Sequence, residues 1–274
     1  FAMAMFAVLF GTRHADATEH QNGLILAVAV ESIVKLTAFL AVGIAVTFFY
    51  FGSPAELFSS NQTNLSVAAA LSYQTPISTW AVLIFLSGFA IILLPRQFHV
   101  MIVENRDDRE MRTAAWLFPL YLVAINLFVL PIAMAGHVHL PTGTPSDLYV
   151  LALPLTAGAE WLSLLVFIGG LSAATAMVIV ASVALSIMIS NDLVLPLMLR
   201  RYVAKERSRD EDLPATILNV RRAAIFVIMI AAYAYYRAAA DNYRLASIGL
   251  ISFAAIAQFA PAFFGGLLWR GANA

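Results

Sequence analysis

Seven long apolar runs constrain what this 274-residue chain can fold into more than any other feature. A helix needs about 20 mostly apolar residues to cross roughly 30 Å of hydrocarbon. Six of the runs reach that length, whereas the first is shorter and is interpreted as the truncated end of one helix. The runs cover residues 1–10, 23–51, 77–103, 113–135, 160–199, 216–237 and 245–269. We therefore expect the bilayer to surround most of the chain.

The runs lack the ten-residue alternation that barrel strands show, and backbone groups in lipid must be bonded within their own segment. The sequence thus predicts an all-α, polytopic membrane helix bundle of about six to seven helices. The run at 160–199 is too long for one perpendicular crossing, so it should tilt or project from the membrane. The chain begins inside an apolar run, at Phe1, which predicts a segment of a longer polypeptide.

Charge and cysteine content exclude several classes of function. Charged residues make up 12% of the chain, about half of the usual share in a soluble domain, and their signs cancel. We therefore expect no nucleic-acid partner. The chain has no Cys, which excludes disulfides and thiol catalysis. Motifs for a phosphate loop, a nucleophile–base pair or a metal site are also missing, so no catalytic residue, metal ligand or cofactor is predicted.

The loops differ strongly in their Lys and Arg content. Ten cations fall in 104–112 and 200–222, and Arg13 and Arg270 lie at two further ends on the same side, whereas the loops 52–75 and 136–159 contain none. Cytoplasmic loops carry the excess of Lys and Arg. The basic side is therefore predicted to be cytoplasmic, and 136–159 to be an external loop.

Charged residues inside membrane helices are costly and need a reason. Glu31 and Lys35 lie in one run at i,i+4 spacing, which places them on one helix face, where they can neutralise each other. Two readings are open for this intramembrane charge pair. It either orients the helix in its bundle or serves as a proton or substrate relay.

The run at 77–103 contains helix-weakening and polar residues from Ser87 onward. Pro95 removes a backbone donor, and Gly88 loosens the helix beside Ser87. Arg96 and Gln97 follow directly. This pattern predicts either a helix interrupted at a substrate site or a plain proline kink with Arg96 reaching the cytoplasmic surface. We place the candidate cavity residues here, together with Gln258 of the last run.

The run at 160–199 combines small and hydroxyl-bearing residues. Close helix packing accounts for most of them, but hydroxyl oxygens can also coordinate a cation. Ser182, Ser186 and Ser190 recur every four residues and should form one polar stripe. Ser172 and Thr175 lie earlier in the same run.

Three stretches resemble the sodium/solute symporter family. Residues 94–105 are similar to that family's seventh helix and its exit, 169–194 to its ninth helix, and 260–269 to its eleventh. The resemblance implies a five-plus-five inverted-repeat, leucine-transporter-like fold. On that fold, 23–51 end the first repeat and 77–269 supply the second, so 1–274 would be a partial symporter-like transmembrane domain. The other broken helix would precede Phe1.

Residues 13–19, 31–36 and 95–100 resemble, more narrowly, the symporter-like half of CbrA-type bacterial sensor histidine kinases. This resemblance implies a multi-pass protein of the bacterial inner membrane that binds a small organic solute such as an amino acid. It also implies PAS and kinase domains downstream and a response regulator as partner, so the parent polypeptide would be a histidine kinase although this chain has no catalytic motif. The alternative is a standalone ion-coupled secondary transporter.

The resemblance fails at one point. The adjacent hydroxyl residues of the family's sodium site fall, counting back from residues 192–193, on Ala176 and Met177, neither of which can ligate sodium. Ser172 and Thr175 are the nearest oxygen-bearing positions, and we predict them as ion ligands. Coupling to sodium, coupling to protons and no coupling all remain open from the sequence.

Overall fold

The computed structural model describes residues 2–11, 22–50, 72, 74–105, 107–198, 213–239, 245–269 and 271. These residues are almost entirely helical, and no strand occurs among them. In chain order the helices are α1 (Ala2–Gly11), α2 (Asn22–Ile44), α3 (Ile77–Leu93), α4 (Pro95–Phe98), α5 (Asp108–Asn126), α6 (Val129–His139), α7 (Tyr149–Thr156), α8 (Glu160–Met188), α9 (Leu213–Ala239), α10 (Leu245–Ala257) and α11 (Ala260–Leu268).

Three of these helices end in π-helical segments. The π segments are Ala45–Tyr50 after α2, His99–Val103 after α4 and Ile189–Val194 after α8. A π segment pairs each amide with the carbonyl five residues earlier and is frequently found at functional sites. A short 3₁₀ turn, Ser146–Leu148, leads into α7.

Five helical segments are long and apolar enough to cross a membrane. They are Ile25–Phe49, Asp108–His139, Glu160–Met198, Ala215–Ala238 and Leu245–Leu268. A sixth crossing is formed if Ile77–Leu93 and Pro95–Val103, which meet at 51°, are one span. Only 6% to 22% of the most apolar window in each of the five segments is buried by the protein itself. Since apolar surface of this extent needs an apolar solvent, the chain is a membrane-spanning protein.

The chain divides into two units. The first, called here the terminal unit, comprises 1–25, 77–105 and 177–274, and the second, the central unit, comprises 26–76 and 106–176. In the terminal unit α1 packs against α9, and α3 packs against α10. Its core contains Ala4, Ala7, Ile179, Val183 and Ile225.

The central unit packs the end of α2 and its π segment against α6, α7 and α8. Its core consists of buried apolar side chains from these elements: Val42, Val46, Ile132, Ala135, Leu140, Tyr149, Leu153 and Val166. Glycines permit the closest approaches. A Cβ at Gly43 would overlap the Phe128 side chain, and one at Gly136 would overlap the Tyr149 ring.

The predicted runs are found as helices wherever they are described, with three corrections to the loops. The external loop predicted for 136–159 is shortened, because α6 continues to His139 and the 3₁₀ turn and α7 occupy 146–156. Arg109 and Arg112 lie in the first turns of α5, since Asp107 caps that helix by accepting a hydrogen bond from the Arg109 amide at 3.2 Å. Arg221, assigned above to a basic loop, is buried in α9.

Candidate functional site

The helix break between α3 and α4 lies at Leu94. Its ψ of 125° is extended, as expected for the residue before a proline, and α4 begins at Pro95. The Leu94 amide still donates to Ala90 at 3.1 Å, and the Phe98 amide donates to Leu94 at 2.8 Å. Pro95 has no N–H to offer the Ile91 carbonyl. The backbone is therefore discontinuous at Leu94, a geometry that both readings of this run share.

Four phenylalanines pack across this break. Phe89 precedes it and lies 5.8 Å from Phe264, while Phe98 follows it and lies 6.4 Å from Phe263, measured between ring centroids. Phe263 and Phe264 are neighbours on α11, with their rings 5.3 Å apart. Two consecutive residues of α11 therefore pack against the two sides of the break in the terminal unit.

The predicted cavity residues are distributed around this aromatic cluster. Ser87 and Gly88 are exposed on α3, and nothing lies within 4 Å of a Cβ built on Gly88. Arg96 and Gln97 are half-buried in the first turn after the break. Gln258 is exposed in the turn between α10 and α11. This second discontinuity was not predicted, although Pro261 and its missing N–H signal it.

The charge pair predicted on α2 is formed in the central unit. Lys35 Nζ lies 3.8 Å from Glu31 Oε1, and the Glu31 side chain is 7% exposed. Tyr121 of α5 completes the group, with its ring centroid 6.0 Å from Lys35 Nζ and its hydroxyl donating to the Ser32 carbonyl at 3.4 Å. The sequence offers no signal for Tyr121, because it lies far from this pair along the chain.

The predicted ion ligands lie on the helix that packs beside this pair. A Cβ at Gly169 would be 2.8 Å from Ala38 Cβ and 3.8 Å from Lys35 Cα. Val166, one turn earlier on α8, shares a core with Val42 and Val46. The two helices are therefore antiparallel.

Ser172 lies one turn beyond Gly169 on α8. Thr175 follows and is half-buried. Its hydroxyl donates to the Leu171 carbonyl at 2.5 Å and to the Ser172 carbonyl at 3.0 Å, which leaves its oxygen lone pairs available to a ligand. Thr175 lies about 120° around α8 from Gly169, so it does not face the contact with α2.

The predicted serine stripe is buried in the terminal unit. Ser182 and Ser186 donate to carbonyls one turn back, at 2.9 and 2.7 Å. The Ser190 hydroxyl, in the π segment, has no hydrogen-bond partner among the described residues. Beside it, Arg221 of α9 donates from Nη2 to Asn191 Oδ1 at 3.3 Å.

A second buried ionisable pair was missed in the sequence. His99 Nε2 lies 3.4 Å from Glu104 Oε1, and the two side chains are 11% and 4% exposed. They are five residues apart, a spacing that separates side chains on an α-helix but brings them together on a π-helix. The backbone bond from the Glu104 amide to His99, at 3.0 Å, has this i→i+5 form.

Comparisons of the chain with protein-family models, with curated proteins and with solved structures found no match. Among the residues that the structure describes, no three His, Asp or Glu side chains are grouped as metal ligands.

Proposed function

We propose that the chain is the solute-binding transmembrane domain of a symporter-type protein of the bacterial inner membrane. The observation that carries this proposal is the interruption at Leu94 inside an apolar spanning segment, with Arg96 and Gln97 in the next turn. Non-helical backbone at membrane depth occurs where it lines a cavity or is buried in protein, and transporters use such breaks as substrate sites.

The proposed solute is a small organic molecule such as an amino acid. Ser87, Gly88, Arg96, Gln97 and Gln258 are its proposed contacts. Arg96 is suited to a carboxylate because its guanidinium donates two parallel hydrogen bonds. Phe89, Phe98, Phe263 and Phe264 would supply apolar contact for the rest of the molecule. In this proposal the solute binds by alternating access within a five-plus-five inverted repeat, of which the chain holds the second repeat and the end of the first.

We further propose that the domain senses or imports a nutrient for a sensor histidine kinase, with PAS and kinase domains and a response regulator as partners. The support is the sequence resemblance alone. The chain following residue 274 should then encode a His-containing dimerisation helix and a Gly-rich ATP-binding domain. A downstream sequence with only further apolar helices would instead favour a standalone transporter.

The solute proposal is tested with the full-length protein in proteoliposomes, by uptake of radiolabelled amino acids. We expect one amino acid to show saturable uptake that Gln97→Leu reduces at least about tenfold, the loss expected for an unsatisfied polar contact of roughly 1.4 kcal/mol. Ser252→Ala is the matched control, because the Ser252 hydroxyl bonds within α10 to Ile248 at 2.9 Å. Saturable uptake that is equal in the wild type and Gln97→Leu would refute the assigned site.

A further inference from the structure

The short helix α7 is apolar on all of its faces. The twelve residues between Asp147 and Glu160 include no charged side chain. A helix that is apolar all round is covered on every side, either by protein or by lipid. An apolar segment that is too short to span is typical of a buried helix or of one that enters the membrane and returns.

Protein covers one face of α7. Tyr149 and Leu153 are one turn apart, 9% and 0% exposed, and share a core with Ile132 and Ala135 of α6. The Tyr149 ring fills the space beside Gly136, where an added Cβ would overlap it. Gly136 lies about 4.5 Å before the end of the span Asp108–His139. The helix α7 therefore begins beside the last turn of this span and not beyond it.

Another face of α7 is exposed. Leu148, directly before α7, and Leu155 within it are two turns apart, so they share a face, and they are 51% and 59% exposed. Exposed apolar side chains continue along the chain into α8, where they form one stripe. The stripe consists of Trp161, Leu164, Ile168 and Leu171. Trp161 is 85% exposed, and tryptophan is enriched where a membrane meets water. The exposed face of α7 thus leads directly into the exposed surface of a spanning helix.

The exposed turn between α7 and α8 bonds its own backbone. The amides of residues 157, 158, 159 and 160 all donate to carbonyls between residues 153 and 158, at 2.9–3.1 Å. Gly158 permits this tight turn with a φ of 70°. The Thr156 hydroxyl also donates within the segment, to the Leu153 carbonyl at 2.9 Å. Backbone that meets lipid has to be bonded in this way, because hydrocarbon offers it no partner.

We propose that α7 is embedded in the membrane and that Leu148 and Leu155 contact lipid acyl chains in the leaflet where α6 ends and α8 begins. Asp147 and Glu160, both exposed, mark the water boundary on either side of it. The partner is the acyl chain and not an anionic headgroup, because 136–159 contains no Lys or Arg to attract a phosphate. This lipid contact is independent of the solute and of the kinase proposed above.

The test is electron paramagnetic resonance of the full-length protein in phosphatidylcholine vesicles. Leu148→Cys and Leu155→Cys, each as the single cysteine, carry a nitroxide label. Collisions of the label with oxygen, which partitions into lipid, should exceed collisions with a water-soluble nickel complex, at a depth of about 5–10 Å below the headgroups. Thr142→Cys is the matched control, because Thr142 is exposed in the connection before α7, and its label should show the reverse.

Three outcomes of this measurement would overturn the proposal. Nickel collisions at Leu148 and Leu155 that equal those at Thr142 would place α7 in water. Low accessibility to both reagents would place protein on this face, either another segment or a second copy of the chain. An embedded label that is seen only after phosphatidylglycerol is added would show attraction to headgroups instead of contact with acyl chains.

A second measurement uses a native side chain, so it does not depend on the folding of the cysteine variants. Trp161 follows the turn after α7, and Trp80, Trp116 and Trp269 are exposed and can be replaced by Phe together with any other tryptophan of the full-length protein. Phosphatidylcholine brominated near the headgroup end of its acyl chains should quench Trp161 fluorescence more strongly than aqueous iodide does. Stronger quenching by iodide would place this turn in water and overturn the proposal.

Discussion

Gly169 and Gly170 are neighbours on α8 in opposite environments, and the same substitution at each should have opposite effects. Gly169 is buried against α2, and an added Cβ would stand 2.8 Å from Ala38 Cβ. Nothing lies within 4 Å of a Cβ at Gly170, which is exposed. Both alanine variants gain up to about 1 kcal/mol of helix propensity.

The difference between them comes from packing. Carbon atoms prefer to lie about 3.5–4.0 Å apart, so Gly169→Ala forces α2 and α8 apart by about 1 Å. Overpacking of this kind costs about 1–3 kcal/mol. Each kcal/mol corresponds to about 2–4 °C in a protein of this size. Gly169→Ala should therefore melt about 2–12 °C below Gly170→Ala.

The assay is thermal unfolding of both variants in the same detergent, followed by tryptophan fluorescence. Ala38→Gly provides the rescue, because it removes the methyl group that the new Cβ meets. The Gly169→Ala/Ala38→Gly double variant should recover most of the loss, which would appear as a coupling energy in a double-mutant cycle. Equal Tm values for Gly169→Ala and Gly170→Ala would refute the contact between α2 and α8 at Gly169.

Three further outcomes are expected. Asn191→Leu removes the amide oxygen that accepts a hydrogen bond from the buried Arg221 guanidinium. It should therefore lower the free energy of unfolding by about 1–3 kcal/mol in chemical denaturation. Stability equal to that of the wild type would contradict this bond. The chain has no native Cys, so single cysteines can be introduced at Asp107 and Thr142. Because the span Asp108–His139 separates these positions, they should react with impermeant maleimide from opposite sides of the membrane. Labelling of both from one side would show that this span does not cross. Because Ser186 is fully buried, Ser186→Leu should destabilise the protein by about 1–3 kcal/mol in the same denaturation assay. Ser186→Ala should cost about 1 kcal/mol or less. Equal losses in the two variants would contradict the packing of this site.

Helix positions could be predicted because hydrophobic length decides what crosses a bilayer. The interruption at Pro95 could also be predicted, because the missing N–H removes a backbone hydrogen bond of its own helix whatever the tertiary structure. The burial of Arg221 could not be read in this way. The Arg221 side chain bonds to Asn191, which lies 30 residues earlier on another helix, and no local pattern carries that information.

The same distinction between local sequence information and tertiary contacts applies to the candidate sites. The Glu31–Lys35 pair follows from α-helical i,i+4 spacing, so the sequence was sufficient. Tyr121 and the approach of Gly169 come from helices distant in the chain, and only packing reveals them. The His99–Glu104 pair has local spacing, but it requires a π segment, which apolar periodicity does not predict.

The backbone bends by 51° at Leu94, so any change in this angle would move the far end of α3 much more than the residues at the bend. The 17 residues of α3 extend about 25 Å from the break. A change of 10° in the bend would therefore move the far end of α3 by about 4 Å, while the atoms next to Leu94 would move by a few tenths of an ångström. A small change in the backbone at Leu94 would thus become a displacement of several ångströms at the far end of α3.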